Sequence, residues 1–256
     1  MSTLVEDVLR LILEELKYDR ISLHSCILVN KTWWAEHCFS KLESFRCYAN
    51  TNKYILEGLA GISKSIKKLI FDIMYSINSG IIKLIEAQNN LKEVHFIDHT
   101  INLRDESFSR PLEESLIKHA NTIQYLRIDW KPNTEILSYL VNLISLDINL
   151  SLVRDINWNH LEKLSLPLLK FLRTQKVPSR ILSNIIENTK GYLTEISILY
   201  EAEQRKQKQQ ELQQLENLIK EYKVKEMIKR YYVDSHGSAF EDFEWIQRRS
   251  DAYIEF

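Results

Sequence analysis

Residues Ile123–Ile128 read IQYLRI. An apolar residue is followed by two spacers, a second apolar residue, one spacer and a third. The second half alternates as a β-strand does when one of its faces is buried. Working outward, the same register recurs at Ile66-x-x-Leu69-x-Phe71, Leu91-x-x-Val94-x-Phe96 and Leu143-x-x-Leu146-x-Ile148. It appears again at Leu161-x-x-Leu164-x-Leu166 and Leu193-x-x-Ile196-x-Ile198, with a further copy near Leu169 and Leu172. Between copies lie SGIIKLIEAQN (79–89), PLEESLIKHA (111–120), NTEILSYLV (133–141) and PSRILSNIIEN (178–188), which read as helices.

A strand-then-helix unit of this kind resembles the leucine-rich repeat. The equivalent core positions 69, 94, 126, 146, 164 and 196 are 18 to 32 residues apart. A regular solenoid uses about 20–29 per repeat, so these repeats are degenerate. The resemblance implies parallel strands lining a concave side. If Leu126 and Ile128 point inward, alternation sends Arg127 and Asp129 the other way. The same logic places Asp72, His95, Asp147, Asn149, Ser165 and Ser197 in that outward row, the candidate face for a target protein.

The N-terminal stretch TLVEDVLRLILEEL poses a different problem. Read as a helix, with a capping-box spacing at Thr3 and Glu6, it spreads its apolar residues over roughly 200°. A helix lying on one core shows a stripe of about 100° or a little more. Two faces of it therefore expect neighbours. Asp19 and Asn30 are fitting N-caps for two further short helices, the last carrying the adjacent Trp33 and Trp34. Neighbouring helical side chains point about 100° apart, so the two indoles cannot share one surface.

Thr3–Glu36, 34 residues, resembles an F-box. Leu4, Glu6, Val8, Leu9, Ile12, Leu16, Leu23, Cys26, Val29, Asn30, Lys31 and Trp33 follow the family pattern in order and spacing. Val5 stands where that pattern has Pro, keeping the bulk but not the preset φ. The resemblance implies docking on a Skp-type adaptor of an SCF (Skp–cullin–F-box) ubiquitin ligase, through Leu4, Val5, Ile12, Leu16, Val29 and Trp33. Trp34 is expected to pack inward, against the chain itself.

A formal net charge of −1 supplies no field to recruit nucleic acid or anionic lipid. Three cysteines, Cys26, Cys38 and Cys47, form no Cys-x-x-Cys pair and no disulfide framework, which fits a reducing compartment. Acidic Glu6 and Asp7 replace the positive start of a signal peptide, and no apolar run reaches the ~18 residues of a membrane span. A cytoplasmic or nuclear protein is expected, with neither nucleic acid nor membrane as partner. Phosphate-loop, nucleophile-elbow and zinc-helix motifs are absent. His95 and His99 lack a third ligand, and Cys38 beside His37 lacks an orienting group. No cofactor, metal or catalytic residue is assigned.

The expected fold is α/β: an F-box over 1–46, a helical linker over 47–64, a short irregular repeat solenoid over 65–200, and a long charged helix with a tail over 201–256. The expected function is a non-catalytic substrate receptor of an SCF-type ligase. The alternative is a repeat-only interaction scaffold not engaged in ubiquitination.

Overall fold

A computed structural model describes residues 42–48, 50–73, 79–98, 106–132, 134–150, 158, 161, 164–189, 193–199, 209–225 and 228–234. Eight strands form one sheet: β1 (Ser44–Tyr48), β2 (Lys68–Ile73), β3 (Glu93–Asp98), β4 (Tyr125–Ile128), β5 (Ser145–Asn149), β6 (Phe171–Gln175), β7 (Glu195–Leu199) and β8 (Arg230–Asp234). Every neighbouring pair is parallel, and the order in space is the order in sequence. Six described helices punctuate the strands: α1 (Lys53–Ile62), α2 (Ser79–Glu86), α3 (Glu106–Ile117), α4 (Ile136–Tyr139), α5 (Ser179–Asn188) and α6 (Gln209–Val224).

Parallel strands need a crossover, and crossovers are right-handed almost without exception. When the strand order never reverses, right-handed crossovers all fall on one side of the sheet. The apolar core agrees. Leu69, Phe71, Val94, Phe96, Leu126, Ile128, Leu146, Ile148, Leu172, Ile196 and Ile198 share one cluster with residues from all six helices, among them Leu56, Leu84, Leu112, Leu137, Ile185 and Ile219. Ile70 and Leu199 are buried too, but outside that cluster, because they sit on the opposite face. Phe71 stacks on Phe96 at 5.3 Å between ring centroids, and Phe96 meets Trp130 edge-on at 5.0 Å.

This corrects the architecture expected from sequence. A three-part chain of F-box, short irregular leucine-rich-repeat solenoid and long C-terminal helix is replaced by one all-parallel eight-stranded α/β sheet. The three-helix F-box lies outside the described residues. The stretch taken for the end of the F-box and the start of a linker contains β1, and α1 is the crossover into β2. The long charged helix expected over 201–256 is α6, and a strand follows it: β8 pairs with β7. Both end strands carry the internal register with aromatic residues in place of Leu, as Leu42-x-x-Phe45-x-Cys47 and Ile228-x-x-Tyr231-x-Val233. The Leu161 copy, in contrast, forms no strand. Its leucines are buried in the core, but Pro167 has no amide to give a neighbouring strand, and β6 starts only at Phe171.

Polar side chains bolt successive units together where bare backbone would otherwise be buried. Gln88 accepts from Ile66 N at 3.0 Å and donates to Ser63 O at 3.1 Å and Leu84 O at 2.8 Å. His119 Nε2 lies 2.8 Å from Ile85 O, which fixes it as the protonated nitrogen. Burial holds this imidazole below its ordinary pKa, so it packs as the neutral ring. Glu113, fully buried on α3, accepts from Trp130 Nε1 at 2.9 Å and from Thr134 N at 2.7 Å, and also from Thr134 Oγ1. Thr134 Oγ1 in turn accepts from Ile136 N at the start of α4.

Two substitutions test this account in opposite directions. Glu113→Ala strands the indole N–H and the Thr134 amide in the core and should cost about 2–4 kcal/mol in denaturant unfolding. Thr174, fully buried between Ile148 and Ile198, has a hydroxyl with no hydrogen-bond partner. Thr174→Val removes that unmet group at nearly constant volume and should raise stability by about 1 kcal/mol in the same measurement.

Candidate functional site

Alternation sends every second strand residue to the face away from the helices. The printed registers align these side chains in level rows. One row runs Arg46, Ile70, His95, Arg127, Asp147, Arg173, Ser197 across β1 to β7. The row before it runs Ser44, Lys68, Glu93, Tyr125, Ser145, Phe171, Glu195, Arg230. Neighbours within a row stand about 4.8 Å apart, the strand spacing, so opposite charges on adjacent strands meet directly.

They meet as ion pairs. Arg46 grips Asp72 with two bonds, Nε–Oδ2 at 2.7 Å and Nη2–Oδ1 at 3.0 Å. Glu93 Oε1 lies 3.0 Å from both Lys68 Nζ and His95 Nε2. Arg127 donates to Asp129 at 3.2 and 3.4 Å and stands 3.8 Å from Asp147 Oδ2. Arg173 Nη1 reaches the same Asp147 oxygen at 3.7 Å, and Arg230 Nη2 meets Glu195 at 3.1 Å. These pairs join five lysine and arginine side chains to five carboxylates, so their charges balance.

The protonation states follow from that crowding. Burial alone would raise the Glu93 carboxyl. The His95 hydrogen bond and the charges of His95 and Lys68 outweigh it and bring the pKa to about 2. Burial pulls on both arginines, yet they move in opposite directions. Arg127 lies among Asp147, Asp129 and Asp72 and is held above its ordinary value. For Arg173 burial outweighs the attraction of Asp147 and Asp129, Arg127 adds repulsion, and the pKa falls to about 10. Both stay cationic at neutral pH. Cys47 belongs to the helix-packed side, where burial pushes its thiol up to about 12, so it is a packing group and not a nucleophile.

Of the residues expected on this face, Asp72, His95, Arg127, Asp129, Asp147, Asn149 and Ser197 are brought together there. Ser165 is not. It is exposed in the irregular segment before β6 and donates to Asn188 O at 3.3 Å. Arg173 is the β6 residue that takes the place expected for Ser165, and the copy at Leu169 and Leu172 was its signal. Lys68, Glu93 and Glu195 were legible too, since each precedes the second apolar residue of its copy. These positions are not all exposed: Asp72, Asp129 and Asp147 are buried and ion-paired, and Ser197 is buried beside Arg173. Leu4, Val5, Ile12, Leu16, Val29 and Trp33, expected to meet an adaptor, lie outside the described residues.

A sheet whose order never reverses has no topological switch point, the place where open α/β sheets form their ligand crevice. Among the described residues no group of three or more His, Cys, Asp or Glu is placed to hold a metal ion. No helix among them is long and apolar enough to cross a membrane. What this face presents is a set of paired charges at fixed spacing. No protein-family model, curated protein or solved structure matches the chain.

Acid titration checks the Glu93 assignment. The folded carboxyl titrates near 2 against an ordinary 4.5, so its stabilisation is complete above pH 4.5 and is lost as pH falls toward 2. The expected loss over that window is on the order of 3 kcal/mol. Glu93→Gln should flatten that part of the stability–pH curve, read by urea unfolding at stepped pH.

Proposed function

We propose that this chain is the non-catalytic substrate-recognition subunit of an SCF-type E3 ubiquitin ligase, working in the cytoplasm, the nucleus or both. The F-box-like segment Thr3–Glu36 would dock on the Skp-type adaptor, and through it on a cullin. The charged face of the sheet would hold the target protein. Catalysis belongs to the other subunits. Holding the target beside the charged ubiquitin-conjugating enzyme raises its effective concentration there, which is the whole of the receptor's contribution.

The observation that carries the target-binding half is the level row of charged and polar side chains across β1 to β7, on the side no described helix covers. A single charged residue on a sheet is a solvated group. Ten paired side chains at fixed spacing form a pattern, and a pattern of paired charges discriminates between partners more than it adds affinity. The adaptor half rests on the twelve F-box positions matched in sequence, and on a first helix too apolar to be covered from one side.

The test is capture by a purified Skp-type adaptor. Ile12→Asp combined with Trp33→Ala should abolish capture while the circular dichroism spectrum and melting temperature of the sheet are retained. Undiminished capture would reject the assigned contact face. A folded wild-type chain that the adaptor never captures would leave the interaction scaffold as the reading to keep.

A further inference from the structure

One part of the charged face is incompletely satisfied. Asp147 Oδ1 is buried and accepts no hydrogen bond, although Oδ2 of the same carboxylate lies between two guanidiniums. Ser197 Oγ, buried in the same row two strands away, also has no partner. Native proteins rarely leave such atoms unmet, and where they do the group commonly has a partner still to come. We propose that the face over β5, β6 and β7 is a carboxamide-reading site, in which Asp147 Oδ1 accepts a hydrogen bond from an asparagine or glutamine side chain of the target. This rests on the reading of that face as the target-binding surface.

The charge arrangement selects the ligand class. A carboxylate oxygen accepts, so the group that meets Asp147 Oδ1 must donate, and a carboxylate or phosphate is excluded. A cation would donate, but it would arrive beside Arg127 and Arg173, which stand 3.8 and 3.7 Å from the other oxygen of the same carboxylate. One carboxylate already shared by two cations does not attract a third. A neutral donor remains. A hydroxyl would meet Asp147 alone, whereas a planar amide also turns a carbonyl oxygen toward the Arg173 guanidinium and the Ser197 hydroxyl in the same row. Arg127 is the more exposed of the two arginine side chains at 24 % and is held more closely by Asp129 than by Asp147. It can move aside to admit the amide and keep its Asp129 partner.

Three probes of equal size separate the possibilities: the N-acetyl N′-methylamides of glutamine, lysine and glutamate, of which only the glutamine probe carries a primary carboxamide. Each is titrated at millimolar concentration into the isotope-labelled full chain, with backbone amide shifts as the readout. The glutamine probe should move the amides of β5, β6 and β7, and the other two should not. Asp147→Asn keeps the shape, but its amide turns oxygen to the two guanidiniums and an N–H to the ligand. It should weaken the glutamine probe about tenfold or more. Ser197→Ala, which leaves the ion pairs alone, should weaken it about threefold; it decides the matter if Asp147→Asn does not fold. No shift with the glutamine probe, equal shifts with the lysine or glutamate probe, or full binding by both variants would overturn the assignment. The titration uses the chain alone, so its failure says nothing about adaptor capture. Failed capture, in turn, leaves the amide site standing on a scaffold.

Discussion

One backbone device sets the height of everything on this sheet. The carbonyl of the residue just before a strand accepts from two successive amides, that of the first residue of the next strand and that of the residue before it. Glu43 O takes Lys67 N and Lys68 N, Lys67 O takes Lys92 N and Glu93 N, and Lys92 O takes Gln124 N and Tyr125 N. Gln124, Ile144, Lys170 and Thr194 repeat the arrangement up to Arg230. Because each strand enters one step along the same ladder, no register slip accumulates across seven pairings. A slip of one residue would turn every side chain over, putting Leu172 outside and Arg173 in the core.

That fixed level is what makes the ion pairs possible and also what limits their worth. Lys68 finds Glu93 directly opposite on the next strand, and Arg46, opposite Ile70, is long enough to reach the diagonal Asp72. Several of these groups are buried, where the cost of leaving water cancels much of the attraction. Under the proposed function their weight would lie in specificity, since a partner would have to present its own charges in a complementary order. The helix side carries the stability. There Leu, Ile, Val, Phe and Trp residues fill one continuous cluster, and Glu113, Gln88 and His119 meet the polar backbone and indole groups that the turns would otherwise bury bare.

The strands were legible in sequence to the degree that their apolar residues are aliphatic. Ile123-x-x-Leu126-x-Ile128 and its closest copies each became a strand, and the polar residues between them emerged on one face. The two end strands were missed because Phe45, Cys47 and Tyr231 fill positions that Leu or Ile hold elsewhere. Spacing misled at Leu161, where burial and pattern were right but Pro167 cannot serve an interior strand. The site was legible as positions and not as contacts. Alternation tells which way Asp147 points. It cannot tell that Arg127 and Arg173 converge on it, because that depends on which strand follows which in space.

Sequential order also keeps the two faces independent of each other. Each strand pairs only with the strands before and after it in the chain. A change at Arg173 is felt by Asp147 and Ser197 beside it, and hardly at Arg46, five strands away. The core side must be filled to close packing at every level, since each strand and helix is covered only by its immediate neighbours. The charged side is held by pairs between adjacent side chains, so a change there is confined to the neighbours it touches, as at Arg127, Asp147 and Arg173. A chain built this way can change its charged rows one at a time while its core stays as it is, which is what the proposed role of that face in choosing a target would require.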